Sequence, residues 1–325
     1  MCSEHKHQTL PASVNDLKGA PEVASFLADS FLAREPAALL RYGDTTGRIL
    51  NQRSLGGPVD GYLRKFLGAT VTETQRDWMA EQIEKSIAIA DVIGLRSDLL
   101  GPKLPKDFFD TRNAKTLQRL SSLYPIRPFE RKTLQEGGAR RLAETRRAME
   151  SMRLPETAIL TNAWIHLGLA SIGFTSALLR DAPSVAVCTS STSRLVLEKL
   201  AVVLGSRLRF FECPGYPDEE RKWGADHEFL WHRWKAVVAS AVPSYRGEPL
   251  FISAGIWTKV LAPTWADRGG IAIDMGSVMD FWGERPTRPA VLATEFGDAQ
   301  NVPNFMLAEQ QFAREEHVQD YVLRS

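Results

Sequence analysis

The stretch from Pro249 to Asp274, PLFISAGIWTKVLAPTWADRGGIAID, decides the fold class of this 325-residue chain. It opens with an apolar run of strand length, PLFIS, and turns at Ala254-Gly255. A helical pattern follows from Trp257 to Arg268, and a second apolar run, GIAI, ends at Asp274. Neither run alternates apolar with polar residues, which is typical of parallel strands buried between two layers of helices. The stretch therefore predicts a βαβ unit.

The same alternation of strands and helices extends back to residue 158. Strands are predicted at Ser184–Cys188 and Leu208–Phe211, and helices over Arg194–Leu204 and Glu228–Ala241. The stretch Ala158–Leu179 contains no Lys, Arg, Asp or Glu and is long enough to span a bilayer. Because it carries several Thr, Ser, Asn, His and Gly residues, we predict a buried strand followed by a helix instead.

The first half of the chain is predicted to be mostly helical. Apolar residues recur at helical spacing over Pro21–Ala33, Thr72–Ala90, Ala114–Leu123 and Leu134–Met152. One strand is predicted there, Ala37–Tyr42 (AALLRY). The fold class is thus α/β: a Rossmann-like, mostly parallel sheet with flanking helices and a helix-rich N-terminal half that supplies one strand.

Composition and charge exclude several classes of protein. With 40 basic and 39 acidic residues the net charge is +1, so the chain has no basic excess for nucleic acid. The three cysteines form no CxxC pair, which argues against a zinc site or a disulfide framework. The polar first residues lack the apolar core of a signal peptide. We expect a cytoplasmic protein with no transmembrane segment and no nucleic-acid partner.

Small or acidic residues follow four of the predicted strands, where parallel sheets bind ligands. These are Gly43-Asp44, the Thr189–Ser193 turn, Gly255, and Asp274 with Gly276-Ser277. Helix N-termini after such turns favour anions such as phosphate, although small residues also simply cap helices. Four such turns at one sheet edge favour a phosphorylated or nucleotide ligand. No GxGxxG, P-loop or GxSxG motif is present, so dinucleotide, Walker-type and nucleophile-elbow sites are unsupported.

Two of these strand ends resemble a known family. Leu40–Asp44 (LRYGD) is similar to the R-[FY]-G-D-G-E motif of the GT-D fold glycosyltransferases, a bacterial family with a Rossmann-like sheet. Phe251–Gly255 and Arg268–Ser277, followed by Asp280-Phe281-Trp282, resemble its strand, Gly turn, helix and G-x-A-[IL]-D-[IM]-G segment. Ala88–Gly94 is similar to a segment between them. The resemblance runs from about residue 39 to 288.

The resemblance implies transfer of a sugar from a nucleotide sugar, typically a UDP-sugar, to an acceptor hydroxyl on a glycan or glycoprotein. In the family, the Asp and Glu of D-G-E are linked to a divalent metal on the donor diphosphate. Here Asp44 is kept, but Thr45 and Thr46 replace the Gly and Glu. A hydroxyl is a poor ligand for a hard cation compared with a carboxylate.

Three possibilities therefore stay open for the metal. Mn2+ or Mg2+ could bind Asp44 with help from Asp274 or Asp280. Cationic side chains, for which Arg41, Arg48 and Lys259 lie in suitable stretches, could replace the metal. Activity could also have been lost.

The resemblance and the strand-end positions together suggest roles for the candidate site residues. The catalytic candidates are Asp44, Asp274 and Arg41: Asp44 would position the donor or metal, and Asp274 would bind ribose or metal or act as a base. The helix after Gly255 would bind the diphosphate. Ser277 stands where some family members have a His. The substrate- and nucleotide-binding candidates are Gly43, Thr46, Thr189, Ser190, Ser191, Gly255, Lys259, Gly276, Ser277 and Asp280.

The predicted domain organisation has three segments. A helical segment covers residues 1–36, a single GT-D-like α/β domain covers 37–295 with its sheet mainly from 158–280, and a helical tail covers 296–325. Three other functions remain open: a non-catalytic nucleotide- or sugar-binding homologue, a phosphate-ester enzyme on a similar sheet, and a structural partner. The helical first 150 residues and the polar tail could serve a homo-oligomer or a glycosylation complex.

Overall fold

A computed structural model gives the fold. It describes residues 7–12, 16–43, 46–47, 49–50, 66–68, 72–96, 100, 145–163, 165–189, 194, 198, 207–214, 230–276 and 278–279.

Seven strands of the described residues form one sheet in which every neighbouring pair is parallel. In chain order, the strands found in the described ranges are β1 His7–Gln8, β2 Ala37–Arg41, β3 Val92–Leu95, β4 Leu154–Pro155, β5 Ile159–Asn162, β6 Ser184–Thr189, β7 Arg207–Glu212, β8 Pro249–Ile252 and β9 Ile271–Asp274. The large sheet has the order β5-β3-β2-β9-β8-β6-β7, while β1 and β4 form a separate antiparallel pair. This confirms the predicted α/β class.

Helices cover both faces of the sheet. They are α1 Ala20–Ala33, α2 Glu73–Ile89, α3 Ile165–Ser171, α4 Phe174–Asp181, α5 Leu230–Ser240 and α6 Thr258–Asp267, with a 3-10 turn over Gly255–Trp257 before α6. One hydrophobic cluster contains side chains of α2, α5 and α6, and a second contains those of α1, α3 and α4. The two clusters lie on opposite faces, so the apolar runs of β2, β8 and β9 are buried on both sides.

Local sequence fixes the ends of the helices. Thr72 and Gln75 form a reciprocal capping box at the start of α2. Pro21 lies in the first turn of α1, and Arg34 ends that helix in a left-handed conformation with φ 56°. The predicted apolar stripe of α1 is confirmed at Val23 and Leu27, which are fully buried.

Strand register aligns the carboxyl ends of distant segments. Leu39 of β2 pairs with Ile273 of β9, so Arg41 and Asp274 end neighbouring strands at the same edge. On the other side of β2, Arg41 pairs with Gly94 of β3. The edge at which β2, β9 and β8 end is called the carboxyl edge below.

The five predicted strands agree with β2, β6, β7, β8 and β9 to within one residue at each end. Ala158–Leu179 contains β5 followed by α3 and most of α4, as predicted. The prediction of only one strand in the first half was wrong, because Val92–Leu95 forms β3 immediately after α2. This four-residue apolar run is too short to show a period. Asp91, which separates it from the helix, accepts a hydrogen bond from the Ala38 N–H at 2.8 Å.

Several predictions lie outside the described residues: the helix over Ala114–Leu123, the start of the helix over 134–152, and the tail over 296–325. The three-segment division stays a prediction. No helix within the described ranges is both long enough and apolar enough to cross a bilayer.

Candidate functional site

Three charged side chains meet at the carboxyl edge. Arg41 is the last residue of β2, Asp274 is the last residue of β9, and Lys259 is the second residue of α6. The guanidinium Nη2 of Arg41 lies 3.0 Å from Asp274 Oδ1, and Lys259 Nζ lies 2.8 Å from Asp274 Oδ2. The backbone N–H of Arg41 also donates to Oδ2 at 3.3 Å. Both carboxylate oxygens are therefore held by cations. These three residues are called the edge cluster.

The edge cluster is almost entirely withdrawn from water. The side chains of Arg41, Lys259 and Asp274 are 16%, 4% and 6% exposed. Burial by itself would raise the pKa of Asp274, but the charges of Arg41 and Lys259 outweigh it and hold that pKa well below its usual range. Burial lowers the pKa of Lys259, and Asp274 offsets part of this. Two cations and one carboxylate leave the cluster with a net charge of +1.

The segment after β5 closes over Arg41. Its Nη1 donates to the carbonyl of Ala163 at 3.0 Å and lies 2.7 Å from Nδ1 of His166. His166 is fully buried, and burial followed by the charge of Arg41 holds its pKa well below the ordinary value. Because a guanidinium only donates, the imidazole beside it is neutral and accepts.

Tyr42 forms the other wall of the cluster. Lys259 Nζ lies 5.0 Å from the centre of its ring, within the range of a cation–π contact. The Tyr42 hydroxyl lies 2.9 Å from the Ser86 hydroxyl, which donates to the carbonyl of Ile83 at 2.7 Å. Burial raises the pKa of Tyr42 far above its usual value, so the phenol stays protonated.

Glycine makes room for the guanidinium. Gly276 has φ +46°, and a Cβ there would lie 1.8 Å from Nη2 of Arg41. Gly94 is less restrictive, with a Cβ position 3.1 Å from Cγ of Arg41. Gly276 is therefore needed for its backbone conformation and for the space it leaves to the guanidinium.

Some polar atoms at this edge are buried without a hydrogen-bond partner. Among the described residues these include Nε of Arg41 and the hydroxyls of Thr189 and Thr258. Thr189 ends β6, and Thr258 precedes Lys259 at the start of α6. Buried polar atoms are rarely left unsatisfied, so each is a candidate for a ligand contact.

The structure brings together four of the residues singled out from the sequence: Arg41, Lys259, Asp274 and Gly276. The other described ones are Gly43 after β2, Thr46 in a helical stretch, Thr189 at the end of β6 and Gly255 in the turn before α6. None of them bonds to the edge cluster in the described part of the chain. The remaining candidates lie outside the described residues: Asp44, Arg48, Ser190, Ser191, Ser277 and Asp280.

Gly255 differs from its expected role as a phosphate cradle. Its φ is +54°, as a tight turn requires, but a Cβ there would lie 2.4 Å from the ring of Phe66. The indole N–H of Trp257 donates to the carbonyl of Phe66 at 2.7 Å. Phe66 thus covers the space next to Gly255, which does not favour a diphosphate at that point.

Four tryptophans gather beside the start of α6. Trp234 stacks on Trp257 with ring centres 5.3 Å apart, and Trp231 and Trp78 lie 5.2 and 6.0 Å from Trp257. Trp257 and Trp234 are buried, whereas Trp78 and Trp231 are partly exposed. Their main contribution is to packing between α2, α5 and α6, and they place fluorescent groups near the edge cluster.

The described residues do not suit a divalent metal ion. No group of three or more His, Cys, Asp or Glu side chains able to hold one occurs among them. Both oxygens of Asp274 already accept bonds from cations. Thr46 is buried. Asp44 and Asp280, the other expected ligands, lie outside the described residues.

His166 and Tyr42 belong to the site but are not predicted from the sequence. In the sequence, His166 is only one polar residue within an apolar stretch. The rule that ligands bind beyond strand ends, applied to the strand at Ile159–Asn162, would have indicated it. The sequence pattern predicts Tyr42 as the last residue of a strand, and its position between Arg41 and Gly43 is the signal that could indicate a place in the site.

Comparisons with models of protein families, with curated proteins and with solved structures find no match to this chain.

Proposed function

We propose that this chain transfers a sugar from a nucleotide sugar, most simply a UDP-sugar, to a hydroxyl of a glycan or glycoprotein. One observation carries the proposal. The two segments that resemble the GT-D glycosyltransferases, LRYGD and GIAIDMGS, are joined by the ion pair between Arg41 and Asp274, which lie 233 residues apart in the chain. Two separate motifs thus contribute to one charged site at the edge where parallel sheets bind ligands.

The chemistry of glycosyl transfer suits this charge distribution. The leaving nucleoside diphosphate develops negative charge, and fixed cations in a site of low dielectric stabilise that charge strongly. Arg41 and Lys259 are such cations. Asp274 is a weak candidate for the base, because both of its oxygens are bonded and its pKa is depressed. Its role in this proposal is to position the two cations.

A donor screen tests the proposal. The purified chain is incubated with a panel of nucleotide sugars, and release of the free nucleotide is measured with and without a chelator. Release from a UDP-sugar above background is the expected result. The Asp44→Ala variant should lose this activity while its circular dichroism is unchanged. Asp267→Ala, which removes an exposed carboxylate at the end of α6, is the matched control. Retained turnover in Asp44→Ala would contradict the assigned role of Asp44.

A non-catalytic nucleotide-binding protein is the second candidate. Thr46 in place of the family's Glu, together with the bonded state of Asp274, favours it. A thermal-shift panel separates the candidates, since a ligand that binds the native state stabilises it. Stabilisation by UDP or GDP without turnover of any nucleotide sugar supports this alternative. Stabilisation by simple sugar phosphates alone supports a phosphate-ester enzyme.

The proposed location is the cytoplasm. Cys188 and Cys213 are both free thiols in the interior. Their sulfur atoms lie 3.5 Å apart without a disulfide. Thiols kept reduced are typical of cytoplasmic proteins.

A further inference from the structure

We infer that Arg41 and Lys259 hold the diphosphate of the donor in place of a divalent metal ion, so that nucleoside diphosphate binds without Mn2+ or Mg2+. The inference rests on the proposed function and concerns how that same site takes its substrate. It departs from the metal that the family resemblance implies.

The first argument is that both carboxylate oxygens of Asp274 already accept bonds from cations. Hard cations such as Mg2+ need free oxygen ligands, usually carboxylates. Oδ1 of Asp274 accepts from Arg41 at 3.0 Å and Oδ2 from Lys259 at 2.8 Å. A metal ion on either oxygen would lie within a few ångströms of a buried positive charge. Their repulsion is strong where water is excluded.

The second argument is the charge of the edge cluster. Burying a charge is costly unless another charge compensates it. Among the described residues, Asp274 is the one carboxylate bonded to the two cations, so this part of the chain leaves the cluster short of one negative charge. A diphosphate group supplies negative charge and several acceptor oxygens in one ligand. A metal ion would increase the imbalance.

The third argument is the set of hydrogen-bond donors that have no acceptor among the described residues. Nε of Arg41 has no partner among the described residues. The ammonium of Lys259 carries three N–H donors, of which Asp274 accepts one. The unpartnered hydroxyl of Thr258 neighbours Lys259. Next to Arg41, no described atom lies within 4 Å of where a Cβ of Gly43 would be. Donors without an acceptor among the described residues thus occur together at the carboxyl edge.

The test measures binding rather than turnover. The full chain is treated with EDTA and dialysed, and its affinity for UDP and for uridine is measured by calorimetry with and without added Mn2+. We expect UDP to bind in EDTA, with an affinity that changes less than about threefold when Mn2+ is added. Uridine should bind at least about tenfold more weakly, because it lacks the charged contacts.

The matched variants are Lys259→Met and Lys85→Met. Lys85 is exposed on α2, away from the edge cluster. Lys259→Met should weaken UDP binding at least about tenfold and leave uridine binding unchanged, while Lys85→Met changes neither. If Lys259→Met does not fold, the UDP affinity of the wild-type chain with and without Mn2+ still tests the inference.

The outcomes separate the inference from the proposed function. UDP binding that appears only with Mn2+ overturns the inference and leaves the glycosyltransferase proposal standing. Equal binding of UDP by wild type and a folded Lys259→Met also overturns it. Failure of UDP and every other nucleoside diphosphate to bind, with or without metal, removes the proposed function itself.

Discussion

Two buried carboxylates lie at opposite edges of the sheet, and their surroundings differ. Glu248 precedes β8 at the amino edge and is fully buried. Its Oε1 accepts from the hydroxyl of Ser184 at 2.7 Å, and its Oε2 accepts from the guanidinium of Arg209 and from the backbone N–H of Ser244. One carboxylate faces one cation there, whereas Asp274 faces two.

The comparison separates a structural carboxylate from a candidate functional one. At the amino edge, charges balance and Glu248 ties the starts of β6 and β8 to β7 through short, satisfied bonds. Arg209 is 34% exposed, so water also solvates its charge. At the carboxyl edge an excess positive charge is kept out of water. Bonds among the described residues account for Glu248, whereas in the edge cluster the described residues provide one bonded carboxylate for two buried cations.

The largest expected effect comes from removing Asp274. Asp274→Ala leaves Arg41 and Lys259 buried without a counter-charge, which should lower the free energy of unfolding by about 3–5 kcal/mol. Urea denaturation followed by tryptophan fluorescence measures it. Asp267→Ala, on the exposed end of α6, should change the value by less than about 0.5 kcal/mol. A loss below about 1 kcal/mol in Asp274→Ala would mean that the edge cluster is not a buried ion cluster.

The second prediction concerns stabilisation by ligand at the two edges. UDP at about 100 times its Kd should stabilise the wild-type chain by about 2.7 kcal/mol. Glu248→Gln should lower basal stability and keep that increment, because its carboxylate is at the other edge. At the same UDP concentration, the at least tenfold weaker binding expected of Lys259→Met should remove at least about half of the increment. Denaturation with and without UDP measures both variants. Loss of the increment in Glu248→Gln would contradict the separation of the two edges.

The third prediction uses two glycines with positive φ. Gly276→Ala adds backbone strain and pushes against the Arg41 guanidinium, so we expect a loss of about 1–3 kcal/mol and weaker UDP binding. Gly269 has φ +92°, and its Cβ position has no described atom nearer than 3.7 Å. Gly269→Ala should therefore show the strain without the loss of binding. Equal UDP affinity in the two variants would argue against a role for the placement of Arg41.

The smallest expected effect is a change in pH dependence. His166 is neutral in the folded chain, so the unfolded chain binds more protons below about pH 6.5. Its contribution to stability is complete above that pH and falls as the pH decreases, by at most about 1.4 kcal/mol per pH unit. Among the described residues, the charged groups that act on it include Arg41 from β2 and Asp274 from β9.

His166→Gln should flatten the slope of unfolding free energy between pH 6.5 and 5. His232→Gln, on the exposed face of α5, is the matched control substitution for this slope. Denaturant titrations at several pH values measure it, and identical slopes for wild type and His166→Gln would show that the imidazole is protonated in the folded chain.

The sequence predicted the elements better than their arrangement. Long apolar runs such as SVAVC placed five strands within a residue, because burial on both faces leaves a continuous pattern. Val92–Leu95 was missed because four apolar residues after a helix carry no period. The order of strands could not be predicted from the sequence, because the pairing of β9 with β2 joins residues more than 200 positions apart.

The candidate site was also predicted in part: individual residues were identified from the sequence, but not the contacts between them. The strand-end rule identified Asp274, and the family resemblance named Asp274 again and added Arg41. Neither indicated that the two side chains bond to each other, because each had been given a role towards a ligand. Lys259 was placed in the right stretch, yet its contact with Asp274 depends on how α6 packs over β9, a tertiary feature that periodicity does not encode.

The position of β9 in the sheet has a consequence for how the chain acquires its structure. β9 is the last described strand in the sequence, yet it pairs with β2 on one side and β8 on the other. Until residue 274 has been synthesised, the strands β5-β3-β2 and β8-β6-β7 have no strand between them. The nascent chain therefore carries two incomplete half-sheets with open edges, which expose it to aggregation. Joining them late, through contacts distant in sequence, favours slow folding.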